Sequence, residues 1–215
     1  DYGFLAEKIR KYDGFYIQKR NLRQYNTTIG ANVLGYVAEV NRSNLEKDNY
    51  YSQGDIIGKQ GVELSYEKYL RGEKGIKFIQ KDRFNRDIGS FNDGVNDINS
   101  IAGNDLTITI DSKLQEYGEL LMSNKKGAIV AIEPSSGELL TLVSAPSYNP
   151  NLLVGRERSK NYFELYQDSI YKPLLDKGLL STFPAGSPFK VIVGLIALEE
   201  EVISEKSTIF CKGQY

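Results

Sequence analysis

The chain has 215 residues, 40% of them apolar, with 27 Lys+Arg against 28 Asp+Glu and a formal charge of −1. That is enough apolar material for one large or two small cores, which excludes a disordered tail or a disulfide mini-protein, and the balanced charge argues against nucleic acid as a partner. There is no histidine and one cysteine, Cys211, so Ser-His-Asp and Cys-His triads, His- or Cys-built zinc sites and internal disulfides are all removed, leaving Ser, Lys, Tyr or carboxylates for any catalysis.

The first 104 residues are polar, Tyr-rich and punctuated by Gly. Short apolar stretches, Phe15-Tyr16-Ile17 and Val33 to Ala38, read as strands or short helices. Val62 to Leu70 reads as a helix whose apolar face carries Leu64, Tyr66, Tyr69 and Leu70, with Gly72 as its stop. Phe84 to Asp105 is rich in Asn, Asp, Gly and Ser and is expected to be a turn-rich connector between a first domain, 1–104, and a second, 105–215. Leu106 to Ile110 alternates apolar residues with Thr and predicts a strand. A helix should follow, opened by a capping box of Ser112 and Gln115, with Leu114, Tyr117 and Leu121 as its buried stripe and Lys125-Lys126 at its C-terminus. Ala128–Ile132 and Leu139–Val143, joined by Glu133-Pro134-Ser135-Ser136-Gly137-Glu138, predict an antiparallel hairpin. The fold class is therefore α+β. The longest apolar run, Val191 to Leu198, is far shorter than the roughly 20 residues needed to cross a bilayer. Because the chain opens Asp1-Tyr2-Gly3 without an initiator Met or signal-like stretch, it is expected to be a segment of a longer protein whose anchor lies upstream.

With imidazole excluded, the hydroxyl nucleophile to look for is a serine activated by a lysine amine one helical turn on. Ser-x-x-Lys occurs four times, at Ser65/Lys68, Ser123/Lys126, Ser169/Lys172 and Ser187/Lys190. Ser65 sits inside an amphipathic helix, Ser123 at a helix C-terminus where the dipole opposes an alkoxide, and Ser169 shares its segment with Lys172-Pro173, which disfavours helical geometry at the lysine. Ser187 differs. Phe183-Pro184-Ala185-Gly186 predicts a tight turn before it, Pro188 suits the first helical turn, and an apolar helix follows from Phe189 to Leu198. Lys190 then shares a face with Ser187 on a helix expected to be largely buried, where desolvation would favour the neutral amine. The competing reading is a serine N-cap followed by a lysine snorkelling from a core helix.

The segment Phe183-Pro184-Ala185-Gly186-Ser187-Pro188-Phe189-Lys190 resembles the nucleophile motif of class B penicillin-binding proteins, usually Tyr-Pro-Pro-Gly-Ser-Thr-Phe-Lys. Gly137 to Asn151 is similar to a strand-and-loop block of the same family, Leu106 to Gln115 to the opening of its transpeptidase domain, and Lys172-Pro173-Leu174-Leu175 to the segment before its nucleophile. Leu34-Gly35-Tyr36-Val37, Ile57 to Glu63 and Tyr66 to Gly72 resemble motifs of its non-catalytic pedestal. The resemblance spans essentially the whole chain, and elongation-type members fit best. Ala185 and Pro188 depart from the usual motif, and no Ser-x-Asn or Lys-Thr-Gly triplet, the family's later motifs, follows Ser187.

The resemblance implies a mainly β pedestal, 1–104, and the front part of a transpeptidase domain, 105–215. It implies a peptidoglycan D,D-transpeptidase with Ser187 as nucleophile and Lys190 as its base, needing no metal or organic cofactor, and as isolated residues 1–215 inactive. Expected partners are peptidoglycan stem peptides, beta-lactams, a membrane-bound glycan polymerase and elongation scaffold proteins, on the extracytoplasmic side of the inner membrane. Three other readings stay open at this point: a beta-lactamase or beta-lactam sensor, a Ser-Lys peptidase, and a non-catalytic scaffold that docks cell-wall assembly partners.

Overall fold

The computed structural model describes residues 3, 8–12, 14–15, 22–84, 86–208 and 210–213. Its contacts divide the chain into two units, Asp1–Leu180 and Ser181–Tyr215. Tyr16 and Ile17 of the expected first strand lie outside the described residues.

Unit Asp1–Leu180 mixes short helices and short strands, as the α+β reading requires. The stretch from Val33 to Ala38 divides between helix α1 (Ala31–Leu34) and strand β1 (Val37–Glu39), which pairs antiparallel with β2 (Ile56–Gly58). Helix α2 (Arg42–Lys47) lies between them in sequence, opened by a capping box in which Asn41 and Asn44 each accept a backbone N–H of the other. The helix expected over Val62–Leu70 forms as two pieces, α3 (Gly61–Ser65) and α4 (Glu67–Leu70), broken at Tyr66; Gly72 follows in the left-handed region at φ 70°.

Its inward face is the opposite of the expected one: Leu64, Tyr66 and Tyr69 are exposed, while Glu63 is buried. The reason is polar. Glu63 accepts from Arg23 Nη2 at 2.7 Å and from the Tyr25 hydroxyl at 3.1 Å, and Glu67 accepts from the Tyr51 hydroxyl at 2.9 Å and Gly58 N at 2.8 Å. Each carboxylate, Glu63 buried and Glu67 half-buried, thus has two donors, which is the condition for taking one out of water at tolerable cost.

Phe84 to Asp105 is not simply a connector. Strands β3 (Ile79–Lys81) and β4 (Asp87–Ser90) pair antiparallel, and bridges Ile76↔Ile98 and Glu73↔Ile101 extend the pairing, making residues 73–101 a two-stranded arm. The Asn/Asp/Gly content supplies its reversals, with Asn92 and Asp93 at positive φ.

The expected strand at Leu106–Ile110 is absent. The segment runs beside the next sheet, donating only from Thr109 Oγ1 to Leu139 O and from Asp111 N to Leu140 O, too few backbone bonds for a ladder. Helix α5 (Ser112–Leu121) follows, capped by Asp111, whose carboxylate accepts from Lys113 N and Leu114 N, rather than by Ser112. Its buried positions are Gln115 and Gly118; Tyr117 and Leu121 are exposed. At Gly118 the space decides, since a Cβ there would lie 2.8 Å from Val143 Cγ2.

The predicted hairpin is present as β5 (Gly127–Ile132) and β6 (Leu139–Ala145), with Val130 opposite Leu142 and Ala128 opposite Ser144. Helices α6 (Arg158–Gln167) and α7 (Lys177–Leu180) complete the unit. Its core joins residues far apart in sequence: Ala31 packs with Tyr148 and Leu153, flanked by Tyr36, Tyr162, Leu165 and Leu174. Polar ties reinforce the join. Gly30 N donates to Glu119 Oε1 at 2.6 Å, Arg158 Nε to Val37 O at 3.0 Å, and Tyr25 exchanges two bonds with Asn151.

Two outcomes follow from this packing. Gln115→Met, which keeps volume but strips the amide bonded to Thr141 and Leu142, should lower stability by roughly 2 kcal/mol in chemical denaturation, because buried groups lose partners. Limited proteolysis should cut first between Phe84 and Asp105, in or just after the exposed arm. The two fragments should then co-elute until denatured, because residues before and after the cut share one core; separation under native conditions would contradict that shared core.

Candidate active site

Unit Ser181–Tyr215 carries the Ser187/Lys190 pair. Residues 181–186 have no regular structure, and Gly186 takes φ 60°, a left-handed turn that an L side chain would resist. The chain then closes at once into a helical turn: Phe189 N donates to Gly186 O at 3.1 Å and Lys190 N to Ser187 O at 3.0 Å. Helix α8 (Phe189–Glu199) starts from Pro188 at its N-cap, φ −57°, a position where the missing N–H leaves no unmet donor. No side-chain cap closes this helix start, so the Ser187 hydroxyl is not spent as an N-cap, and the competing reading of it as a cap fails. Lys190 stands three residues on, within the first turn, which places it on the same side of the helix.

The expected burial of the helix is not found. No residue of α8 is buried, Val191 is 68% exposed, and both Ser187 and Lys190 are exposed. The sequence Phe-Lys-Val-Ile-Val-Gly-Leu-Ile-Ala-Leu-Glu is apolar on every side, so no single face can be buried while the rest stays wet.

The three other Ser-x-x-Lys pairs are built differently. Ser65 ends α3 and Lys68 belongs to α4, across the break at Tyr66. Ser123 lies beyond the end of α5, and Lys126 Nζ donates to Ile170 O at 2.6 Å. Lys172 takes φ 46° in a turn, as the following proline foretold, so Ser169 and Lys172 share no helix. Of the four, only Ser187 and Lys190 span the opening turn of a helix.

A second feature had no sequence signal. A cavity of about 320 Å³ is lined by Asn44, Lys47, Asp48, Tyr51, Ile57, Leu64, Ser65, Glu67, Lys68, Tyr69 and Arg71. Arg71 lies 3.8 Å over the Tyr50 ring and donates to Asp48 Oδ2 at 2.8 Å, a hydrogen bond that holds the Asp48 carboxyl below the usual carboxylate range. Burial pushes the Tyr51 phenol up to about 12. Only the fold brings residues 44–51 and 57–71 together, so spacing alone could not reveal it.

Residues 1–108 match the model of the penicillin-binding protein dimerisation domain, and residues 127–215 match that of the penicillin-binding protein transpeptidase domain. The chain belongs to the penicillin-binding protein family. It is 33% identical over 201 residues to the peptidoglycan D,D-transpeptidase MrdA of Escherichia coli K12, covering 91% of this chain and 31% of the relative. Among solved structures, it is similar to penicillin-binding protein 2 of Helicobacter pylori in complex with MreC, with TM-score 0.78 and 34% identity over 97% of this chain and 38% of that one. It is similar also to Pseudomonas aeruginosa penicillin-binding protein 2 in complex with WCK 5153, with TM-score 0.71 and 36% identity over 90% of this chain and 39% of that one. The chain spans about a third of the length of the curated relatives it matches.

Proposed function

We propose that the whole protein is a peptidoglycan D,D-transpeptidase and that residues 105–215 are the front part of its catalytic domain. The observation that carries this is the Ser187 hydroxyl, left unspent by capping at the start of an eleven-residue helix with Lys190 one turn on.

Ser187 Oγ attacks the penultimate D-Ala carbonyl carbon of a stem peptide while Lys190 Nζ takes its proton. The oxyanion meets the Ser187 N–H at the positive end of helix α8, one donor of the hole. The C–N bond to the terminal D-Ala breaks, the proton passes to the departing amine, and an acyl-serine remains. An amine from a neighbouring strand then takes the acyl group and restores the serine. A beta-lactam acylates the same oxygen by ring opening. Every step uses side-chain, backbone and substrate groups alone.

Residues 1–104 form a non-catalytic pedestal in this reading, docking a membrane-bound glycan polymerase and elongation scaffold proteins. The protein works on the extracytoplasmic face of the inner membrane, anchored by a segment upstream of Asp1. The MreC-bound Helicobacter pylori relative supports a scaffold partner of that kind.

A fluorescent penicillin should label the whole protein at Ser187, and Ser187→Ala should abolish labelling; labelling that survives this change removes the assignment. Lys190→Ala should cut acylation by about 10²-fold or more while leaving the melting temperature nearly unchanged, because the lysine is exposed. If cell-wall synthesis is sustained by the Ser187→Ala protein, the scaffold reading replaces the enzymatic one. Isolated residues 1–215, in which no Ser-x-Asn or Lys-Thr-Gly follows Ser187, should acylate far more slowly than the whole protein when followed by intact mass.

A further inference from the structure

Most of the charges that line the cavity between residues 44 and 71 are already matched inside its own wall. Asp48 accepts from Arg71 Nη1 at 2.8 Å with one oxygen and from Tyr50 N at 2.9 Å with the other. Glu67 accepts from the Tyr51 hydroxyl at 2.9 Å and from Gly58 N at 2.8 Å. The Arg71 guanidinium is stacked as well as paired, 3.8 Å from the centre of the Tyr50 ring and 5.2 Å from that of Tyr51. A wall tied in this way is ordered before anything enters, which spares an occupant the cost of ordering it.

Lys47, the last residue of α2, and Lys68, in α4, are the exceptions. Both line the cavity and are exposed, and among the described residues neither forms an ion pair. The carboxylates of the lining are committed to other donors, so the two ammonium groups have no counter-charge in the cavity. Beside them the lining is apolar: Ile57 is half-buried, and Leu64 and Tyr69 are 51% and 62% exposed. An occupant that answers both features carries an anionic group next to an apolar one. At about 320 Å³ the space is at the low end of the roughly 300–1,000 Å³ of ligand pockets, room for one or two side chains. A bilayer surface fits poorly, because anionic lipid is recognised by clusters of about four to eight cations and the cavity offers two unmatched ones.

We propose that this cavity is a docking site for a partner polypeptide and takes from it a carboxylate side chain with the apolar residue that follows: the carboxylate meets Lys47 and Lys68, and the apolar side chain meets Ile57, Leu64 and Tyr69. This rests on the docking role proposed for residues 1–104 and gives that role a place and a chemistry. It requires nothing of Ser187.

The test titrates the whole protein with four acetylated and amidated peptides, Gly-Ser-X-Y-Ser-Gly, in which X-Y is Glu-Leu, Lys-Leu, Glu-Ser or Ser-Leu, followed by ligand-observed NMR. The Glu-Leu peptide should bind with a dissociation constant of about 1 mM or below, and the other three on the order of tenfold more weakly. Lys47→Gln combined with Lys68→Gln should bring the Glu-Leu peptide down to the level of the Ser-Leu one, and Lys47→Arg combined with Lys68→Arg should keep its binding. Both pairs of changes should leave the melting temperature unchanged, because the two lysines are exposed. Equal binding of the Glu-Leu and Lys-Leu peptides overturns the proposal, as does undiminished binding to the double Gln variant or no saturable binding of the Glu-Leu peptide up to about 10 mM. Sedimentation of the wild type, but not the double Gln variant, with phosphatidylglycerol vesicles while no peptide binds makes the occupant a lipid and overturns it too. The two readings fail differently. Failure of the peptides leaves docking elsewhere on residues 1–104 standing, whereas full peptide discrimination together with unchanged cell-wall synthesis by the double Gln variant removes the docking role, and this partner with it.

Discussion

The interaction on which unit Asp1–Leu180 depends is the side-chain amide of Gln115 against the free edge of β6. A two-stranded sheet leaves one edge of each strand without a ladder, and β6 is nearly all buried, so its outer N–H and C=O groups must find partners within the protein. Gln115 supplies them as a third strand would: its Oε1 accepts from Leu142 N at 2.9 Å while its Nε2 donates to Leu142 O at 3.1 Å. Thr141 Oγ1 donates to the same Oε1 at 2.6 Å, and Nε2 also donates to Glu119 Oε1 at 3.0 Å. With that edge satisfied, β6 can lie inside the protein, where Ser144 reaches the Lys172–Leu175 turn and Gly178 of α7 packs on Leu142.

That arrangement explains which parts of the fold were legible. The β5–β6 hairpin shows in the sequence because its signals are local: two short, mainly apolar runs and a Pro-Ser-Ser-Gly reversal that needs no distant partner. Helix α5 was legible as a helix but not in its facing. Periodicity points inward with Leu114, Tyr117 and Leu121, yet the helix turns Gln115 and Gly118 to the sheet, because one requirement is an amide for an exposed backbone edge and the other is room beside Val143. The same inversion at Glu63 and Glu67 has the same cause. Where carboxylates and amides serve as internal hydrogen-bonding groups, hydrophobic periodicity reads the wrong face.

The candidate site was legible for a different reason. Four Ser-x-x-Lys pairs compete in the sequence, and local backbone chemistry separates them: a glycine able to take positive φ, then a proline at the helix start, frame only Ser187. The Lys172–Leu175 turn, whose four carbonyls each accept from a different side chain, had no such mark. Asn32, Gln60, Ser144 and Lys177 are ordinary polar residues spread over 146 positions, and their convergence on one turn exists only in the folded chain.

Helix α8 sets the remaining condition on the serine. An isolated helix of eleven residues is marginal in water, because nucleation is costly and short helices gain too few bonds to offset it. Its composition is a buried helix's, and burying each of Phe189, Val191, Ile192, Leu195, Ile196 and Leu198 would contribute about 1.5–3 kcal/mol. The places proposed for Lys190 and the N–H of Ser187 exist only while the first turn of that helix is formed. The preorganisation on which an oxyanion site depends is therefore a packing property: covering the apolar helix fixes the serine, and uncovering it lets the first turn fray.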